Sequence, residues 1–332
     1  MSVHDAYSVG AFVNQRTVAV WGNHGPSFST ESELAWSFEH VGCKVLRFQE
    51  GETDPFVIIK TCRLEHADLL LYIHTHGSIQ PGTEDVFAAL RAAGTRLASF
   101  HLDRFWGLDA IDAREKCIGQ HPLWKTDYVF TADGGNDAGF KERGVNHFWL
   151  PPAVVERGCY DAAFDPRYAF DVIFVGAKGY HPEYTFRTTL VDWLTNTYGA
   201  RFAHFGGGDC GGQRLMNKGA TIREGELNTL YASSKIAVGD SCFAGARNYW
   251  SDRVPETLGR GGFLIHPKTE GLNIPGLAVF NPADLNDLKE KIDYYLVHDA
   301  ERIAMRNMAT AHVRANDTYT QRVRTILQAV GL

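Results

Sequence analysis

The densest chemistry in this sequence lies in the run Asn248-Tyr249-Trp250-Ser251-Asp252-Arg253-Val254-Pro255-Glu256-Thr257-Leu258-Gly259-Arg260-Gly261-Gly262-Phe263-Leu264-Ile265. Pro255 suits the first turn of a helix, where a missing N–H costs nothing. Glu256 falls in the same turn. A carboxylate there either complements the helix dipole or accepts two hydrogen bonds from the vicinal diol of a ribose. Gly259 to Gly262 then turn the chain directly into a strand.

Other polar or glycine-rich groups follow strand-like runs. Gly22-Asn23-His24-Gly25-Pro26 would let a ligand approach the backbone at a helix N-terminus, or forms an ordinary tight turn. It is not G-x-G-x-x-G, so it does not support an ordinary NAD site. His74-Thr75-His76-Gly77 pairs two histidines on one face of an extended segment. No third metal ligand stands at a suitable spacing, so a metal site is the weakest of the readings beside cleft polarity, proton transfer and phosphate contact. His101-Leu102-Asp103-Arg104-Phe105-Trp106-Gly107 puts a candidate base beside aromatic rings. Desolvation by Phe105 and Trp106 would raise the Asp103 pKa towards working pH, and Trp106 would stack on a sugar or a base. Gly176-Ala177-Lys178-Gly179 is a glycine turn with a lysine, suited to a diphosphate or simply a solvated loop. Gly206 to Gly212 is a permissive loop that admits a ligand or merely moves.

Such residues need elements to hold them. Strand-like runs alternate with helical patterns: Thr17–Trp21, Lys44–Phe48, Leu69–Ile73, Leu97–Leu102, Tyr128–Phe130 and Phe148–Leu150, then Asp171–Val175, Phe202–Phe205, Lys235–Val238 and Phe263–Ile265. Thr30 with Glu33 reads as a capping box, and Asn281-Pro282 as the cap of a long helix bearing Leu285, Leu288, Ile292 and Leu296. Continuous apolar strands between helices imply parallel sheets with right-handed crossovers. At 332 residues the chain suits two domains. The break at Pro151-Pro152 divides it into 1–155 and 156–315, with a closing helix at 316–332. The fold expected is α/β, two Rossmann-like doubly wound domains facing across a cleft, where ligands bind outside the carboxyl ends of the strands.

Composition narrows the classes further. Net charge is −6 with 22% charged and 44% hydrophobic residues, which is globular and gives no sign of a polyanion partner, although nucleic acid stays open through a local patch. No apolar run nears the ~20 residues of a membrane span, and the N-terminus lacks a signal-peptide pattern. Six scattered cysteines without a C-x-x-C pair read as reduced thiols in a cytoplasmic protein.

The segment R-V-P-E-T-L-G-R-G-G-F-L-I resembles the donor-site helix and strand of GT-B glycosyltransferases, in the group that includes the CgeB-like spore-maturation proteins. Tyr231–Val238, Asp171–Gly176, Leu150–Ala153, Asn281–Leu296 and Thr318–Leu327 match in order. The resemblance implies a nucleotide-diphosphate sugar as donor, with a UDP-sugar the leading candidate. It implies no bound cofactor or metal, and a closing helix that packs back on the N-terminal domain. By that analogy Glu256 holds the ribose. Gly176, Lys178 and Arg253 face the diphosphate, and Thr221, Ile222 and Arg223 line the base pocket. The acceptor would lie against the N-terminal half, near Asn23, His24, His76 and Trp106. Asp103 is the first choice of base, His101 the second and Asp252 the third, although Asp252 could equally cap its helix. The retaining E-x7-E pattern is broken, because Asn248 stands eight residues before Glu256, so the stereochemistry is left open. The acceptor is a saccharide, protein, small molecule or modified nucleic-acid base, and the chain a monomer or homodimer. The alternatives are a nucleotide-sugar isomerase or hydrolase, and a two-domain binding protein without chemistry.

Overall fold

The computed structural model describes residues 15–74, 79–108, 114–179, 185–206, 225–240 and 247–332. In the first half β1 (Thr17–Gly22), β2 (Lys44–Gln49), β3 (Leu69–Tyr72), β4 (Arg96–His101), β5 (Tyr128–Thr131) and β6 (His147–Trp149) form one sheet, in the order β2-β1-β3-β4-β5-β6. Every pairing is parallel. Side chains alternate between the two faces of each strand. Val18, Val20, Leu69, Leu71, Phe100 and Phe130 pack on one side against Leu34, Ala35 and Phe38 of α1 (Thr30–His40). Ala19, Trp21, Leu70, Tyr72 and Val129 pack on the other against α2 (Pro55–Leu64), α3 (Thr83–Ala92) and Phe140 of α4 (Asp137–Glu142). Burial on both faces is why these strands read as unbroken apolar runs.

The second half repeats the architecture. β7 (Val172–Val175), β8 (Phe202–Phe205), β9 (Ile236–Val238), β10 (Leu264–Pro267) and β11 (Ala278–Phe280) run parallel in the order β11-β10-β9-β7-β8. One face carries α5 (Thr185–Tyr198) and α8 (Leu285–Val297). The other carries α6 (Gly225–Ser233), α7 (Arg253–Gly259) and α9 (Asp299–Asn316). Each sheet reverses its strand order once, between β1 and β3 and between β7 and β9, and such switch points open the crevice in which α/β folds bind ligands.

The chain passes between the halves twice. Val154 N donates to Asp317 O at 3.1 Å, and Tyr319 N donates to Val154 O at 3.0 Å. The last helix, α10 (Tyr319–Ala329), lays Tyr319, Val323 and Ile326 into the α1 side of the first core. Arg322 binds both crossings, donating to Pro151 O at 2.8 Å and to Asp317 Oδ1 at 2.6 Å.

Two caps differ from expectation. The N-cap of α1 is Ser29, whose Oγ accepts from Ser32 N at 3.1 Å, so Thr30 is already helical. The cap of α8 is Asp284, bonded to Asn286 N at 2.9 Å. Asn281 instead closes a turn upstream, accepting from Ala283 N at 3.1 Å. Among the described residues no helix is long and apolar enough to cross a membrane.

Candidate active site

At the switch point of the second sheet, three charged side chains meet out of water. Asp240 follows β9 and its side chain is 1% exposed. Arg187 of α5 donates Nε to Asp240 Oδ2 at 2.7 Å, and Arg253, first residue of α7, donates to Oδ1. Arg253 also bonds Val175 O at 2.6 Å and lies over the Phe174 ring at 4.9 Å. Burial by itself would raise the Asp240 carboxyl, but Arg253 and Arg187 outweigh it and hold it below the usual carboxylate range. Two guanidinium groups against one carboxylate leave this triad with one net positive charge. Gly176, just after β7, has φ +133°, and a Cβ there would fall 2.4 Å from Arg253 Nη2. Only glycine allows the β7 loop to approach the guanidinium so closely. Lys178 turns aside: its Nζ sits 2.6 Å from Asp192 Oδ1 of α5.

Glu256 occupies the first turn of α7 with Arg260 one turn later, whose Nε donates to Glu256 Oε2 at 2.5 Å. Asp252 stands at the N-cap position, but its side chain makes no capping hydrogen bond. Facing α7 across the interface is Glu33 of α1, itself buried. Burial first, then Glu256, pushes the Glu33 carboxyl well above its usual range, against the pull of Arg260 and Arg157. The interface is sealed nearby by Gly134 N donating to Asn248 O at 3.1 Å, and by Trp149 meeting Trp250 edge to face at 5.7 Å.

The carboxyl edge of the first sheet holds most of the expected acceptor residues. His24 N donates to Gln49 Oε1 at 2.8 Å, and Gln49 Nε2 donates to Asn23 Oδ1 at 3.1 Å, which ties Asn23 and His24 to the end of β2. His24 Nε2 lies 3.1 Å from Val20 O, and burial lowers its pKa. Asp103 N donates to His101 Nδ1 at 3.2 Å, and Arg114 lies 3.4 Å from Asp103 Oδ2. The carboxylate that the aromatic segment buries is Asp133, after β5. It is wholly buried, its Oδ2 accepts Trp106 N at 2.6 Å and Phe105 N at 3.0 Å, and burial raises its pKa against those two bonds.

Trp106 has one face covered by the Arg143 guanidinium at 4.6 Å, and Gly139 packs so near that a Cβ there would lie 2.2 Å from the ring. Phe105 and Trp250 are buried. Phe105 and Trp250 are therefore packing groups, whereas Trp106 keeps part of its surface exposed. A second histidine site stands at the end of β3. His74 Nδ1 lies 2.5 Å from Glu50 Oε1, which also accepts Tyr72 OH at 3.0 Å.

The structure thus gathers Gly176 and Arg253 around Asp240, sets Glu256 at the domain interface, and keeps Asp103 and His101 together on the opposite sheet. His76, Thr221, Ile222 and Arg223 lie outside the described residues, as do Gly207 to Gly212. Asp240 and Asp133 are not singled out by the sequence, which offers Glu33 only as a cap partner and pairs His74 with His76 rather than with Glu50. A lone acid after a short strand carries no local signal. Only position after a strand, the rule that found Asp103, could have found Asp240 and Asp133.

Residues 187–328 match the family model described as Glycosyl transferase-like. No curated protein matches the sequence. Among solved structures, HepE from Anabaena, in complex with UDP and glucose, is similar with a TM-score of 0.64 and 11% identity, over 95% of this chain and 99% of that one. MnaA of S. aureus, in complex with UDP, gives 0.53 and 9% over 96% and 97%. A TarM variant of S. aureus, with UDP among its ligands, gives 0.56 and 11% over 84% and 59%. At these identities the likeness is one of fold, the two-sheet GT-B architecture, and the glycosyl transferase-like family model matches within its second half.

Proposed function

We propose that this GT-B chain transfers a sugar from a nucleotide-diphosphate donor, a UDP-sugar, to an acceptor hydroxyl. One observation carries the reading: the glycosyl transferase-like match contains Arg187, Asp240, Arg253 and Glu256, the polar groups gathered at the carboxyl edge of β7 and β9 and on α7. The UDP held by HepE and MnaA supports the choice of base. Within the fold, the R-V-P-E-T-L-G-R-G-G segment favours the CgeB-like group.

The leaving group would be UDP. Its growing charge would meet the net positive Arg187–Asp240–Arg253 triad, whose geometry is fixed before substrate arrives, and preorganised charge of this kind is the main source of such catalysis. Lys178 would turn from Asp192 to the diphosphate. Glu256 would hold the ribose. On the acceptor side Asp103 is our base. His101 Nδ1 accepts the Asp103 amide at 3.2 Å, and His101 is our second choice of base. The thiols of Cys43, Cys62, Cys117 and Cys159 are free, which suits a cytoplasmic setting.

A thermal-shift series with UDP, GDP, ADP, TDP and NAD, with Mg²⁺ or with EDTA, tests this reading. A ligand at 100 times its Kd adds about 2.7 kcal/mol. The expected result is a shift with UDP that EDTA does not remove. A shift with NAD alone, or with none of them, overturns the proposal. Asp103→Asn is expected to bind UDP as the parent does and to lose transfer.

A further inference from the structure

We infer that Arg260 and Asn228 are positioning residues, a relay that sets the Glu256 carboxylate for the donor ribose; the inference rests on the donor reading above. Asn228 of α6 is fully buried. Its Nδ2 donates to Gly158 O at 2.7 Å and to Tyr160 O at 2.8 Å. Both partners are backbone carbonyls, which only accept, so the amide has one orientation and its Oδ1 must face the other way. There it takes Arg260 Nη1 at 2.8 Å. Arg260 has only donors to offer, and it spends Nε on Glu256 Oε2 at 2.5 Å. Donation therefore diverges from Arg260: guanidinium to amide to backbone carbonyls on one side, and guanidinium to the Glu256 carboxylate on the other.

Its base is rigid. Gly158 lies in the segment crossing between the halves, and a Cβ on it would fall 2.7 Å from Arg260 Cζ, so the guanidinium lies directly against that backbone. Arg260 is 6% exposed. A glutamate on a surface helix would lose its rotamer freedom only when it gripped a ligand, whereas here that cost is met on folding. Arg260 also supplies positive charge where Glu33 faces Glu256 across the domain interface.

The test is calorimetric titration of the whole chain with UDP and with 2′-deoxy-UDP, which lacks one ribose hydroxyl. In Asn228→Ala and Arg260→Lys the Kd for UDP should rise about tenfold, the scale of one charged hydrogen bond, while 2′-deoxy-UDP changes less than about twofold. Arg260→Lys keeps the buried charge, so it carries the test if Asn228→Ala melts early. Equal weakening towards both nucleotides, or no weakening towards either, overturns the relay. A parent chain that binds both nucleotides equally removes Glu256 from the ribose and the relay with it. A parent chain that binds no UDP overturns the donor reading itself.

Discussion

Gly206 stands so close to Gly176 that a Cβ on it would lie 2.0 Å from the Gly176 carbonyl oxygen. The loops leaving β7 and β8 are thus pressed backbone to backbone beside Arg253. Gly206→Ala must push them apart, at a cost on the order of 1–3 kcal/mol. UDP affinity should fall with stability, because the Gly176 loop moves with it. Urea unfolding and a UDP titration on the same protein check this. Parent-like values in both would show that the close approach constrains nothing.

Asp240→Ala should be among the most damaging single changes. It leaves Arg187 and Arg253 buried without their shared counter-charge. Removing one partner of a buried ion cluster costs about 3–5 kcal/mol. Denaturant midpoints measure it directly, and a loss under about 1 kcal/mol would mean that water reaches the triad.

Glu33→Gln addresses the domain interface through pH. The Glu33 carboxyl is raised in the folded chain by burial and by Glu256. A raised carboxyl adds stability that is whole below the ordinary glutamate value and is lost as pH climbs through the folded one. The parent should therefore weaken above about pH 4.5, by at most about 1.4 kcal/mol per pH unit in that window. Glu33→Gln should flatten this slope and be the more stable protein at pH 8. Melting curves at pH 5 and pH 8 decide, and parallel curves would place Glu33 in water.

Asp192→Ala releases Lys178 from its 2.6 Å ion pair. Asp192 is half exposed, so the stability change should be under about 1 kcal/mol. If Lys178 serves the diphosphate, UDP should bind about twofold to threefold more tightly, and UMP, with less charge, should gain less. An unchanged UDP affinity would leave Lys178 a surface ion pair.

Much of the architecture was legible locally. Leu69 to Ile73 reads as a strand buried on both faces, and the structure buries it so. Helix α2 was not legible. It buries Ile58 and Cys62 and leaves Phe56 and Leu64 more than 60% exposed, so its apolar spacing misreports its buried face. Strand β11 has three residues, too few for a period. Helix α9 buries Arg302 and Thr310 beside Ala309 and Val313, so its inner face mixes charge and hydroxyl with apolar groups.

The site divides the same way. The run from Arg253 to Gly262 announces a helix, a carboxylate and a glycine turn, because caps, propensities and turn chemistry act over three or four residues. The sequence by itself determined that these groups follow strands at the edge of a parallel sheet. What each group touches was decided by tertiary structure. Arg187 and Asp240 stand 53 positions apart, and Glu33 and Glu256 come from different sheets' helices. Their meeting depends on strand order and on how the two halves dock. So does the setting of Trp106, one face of which the Arg143 guanidinium takes. Burial and a neighbouring charge set what a side chain does, and neither is a property of its neighbours along the chain.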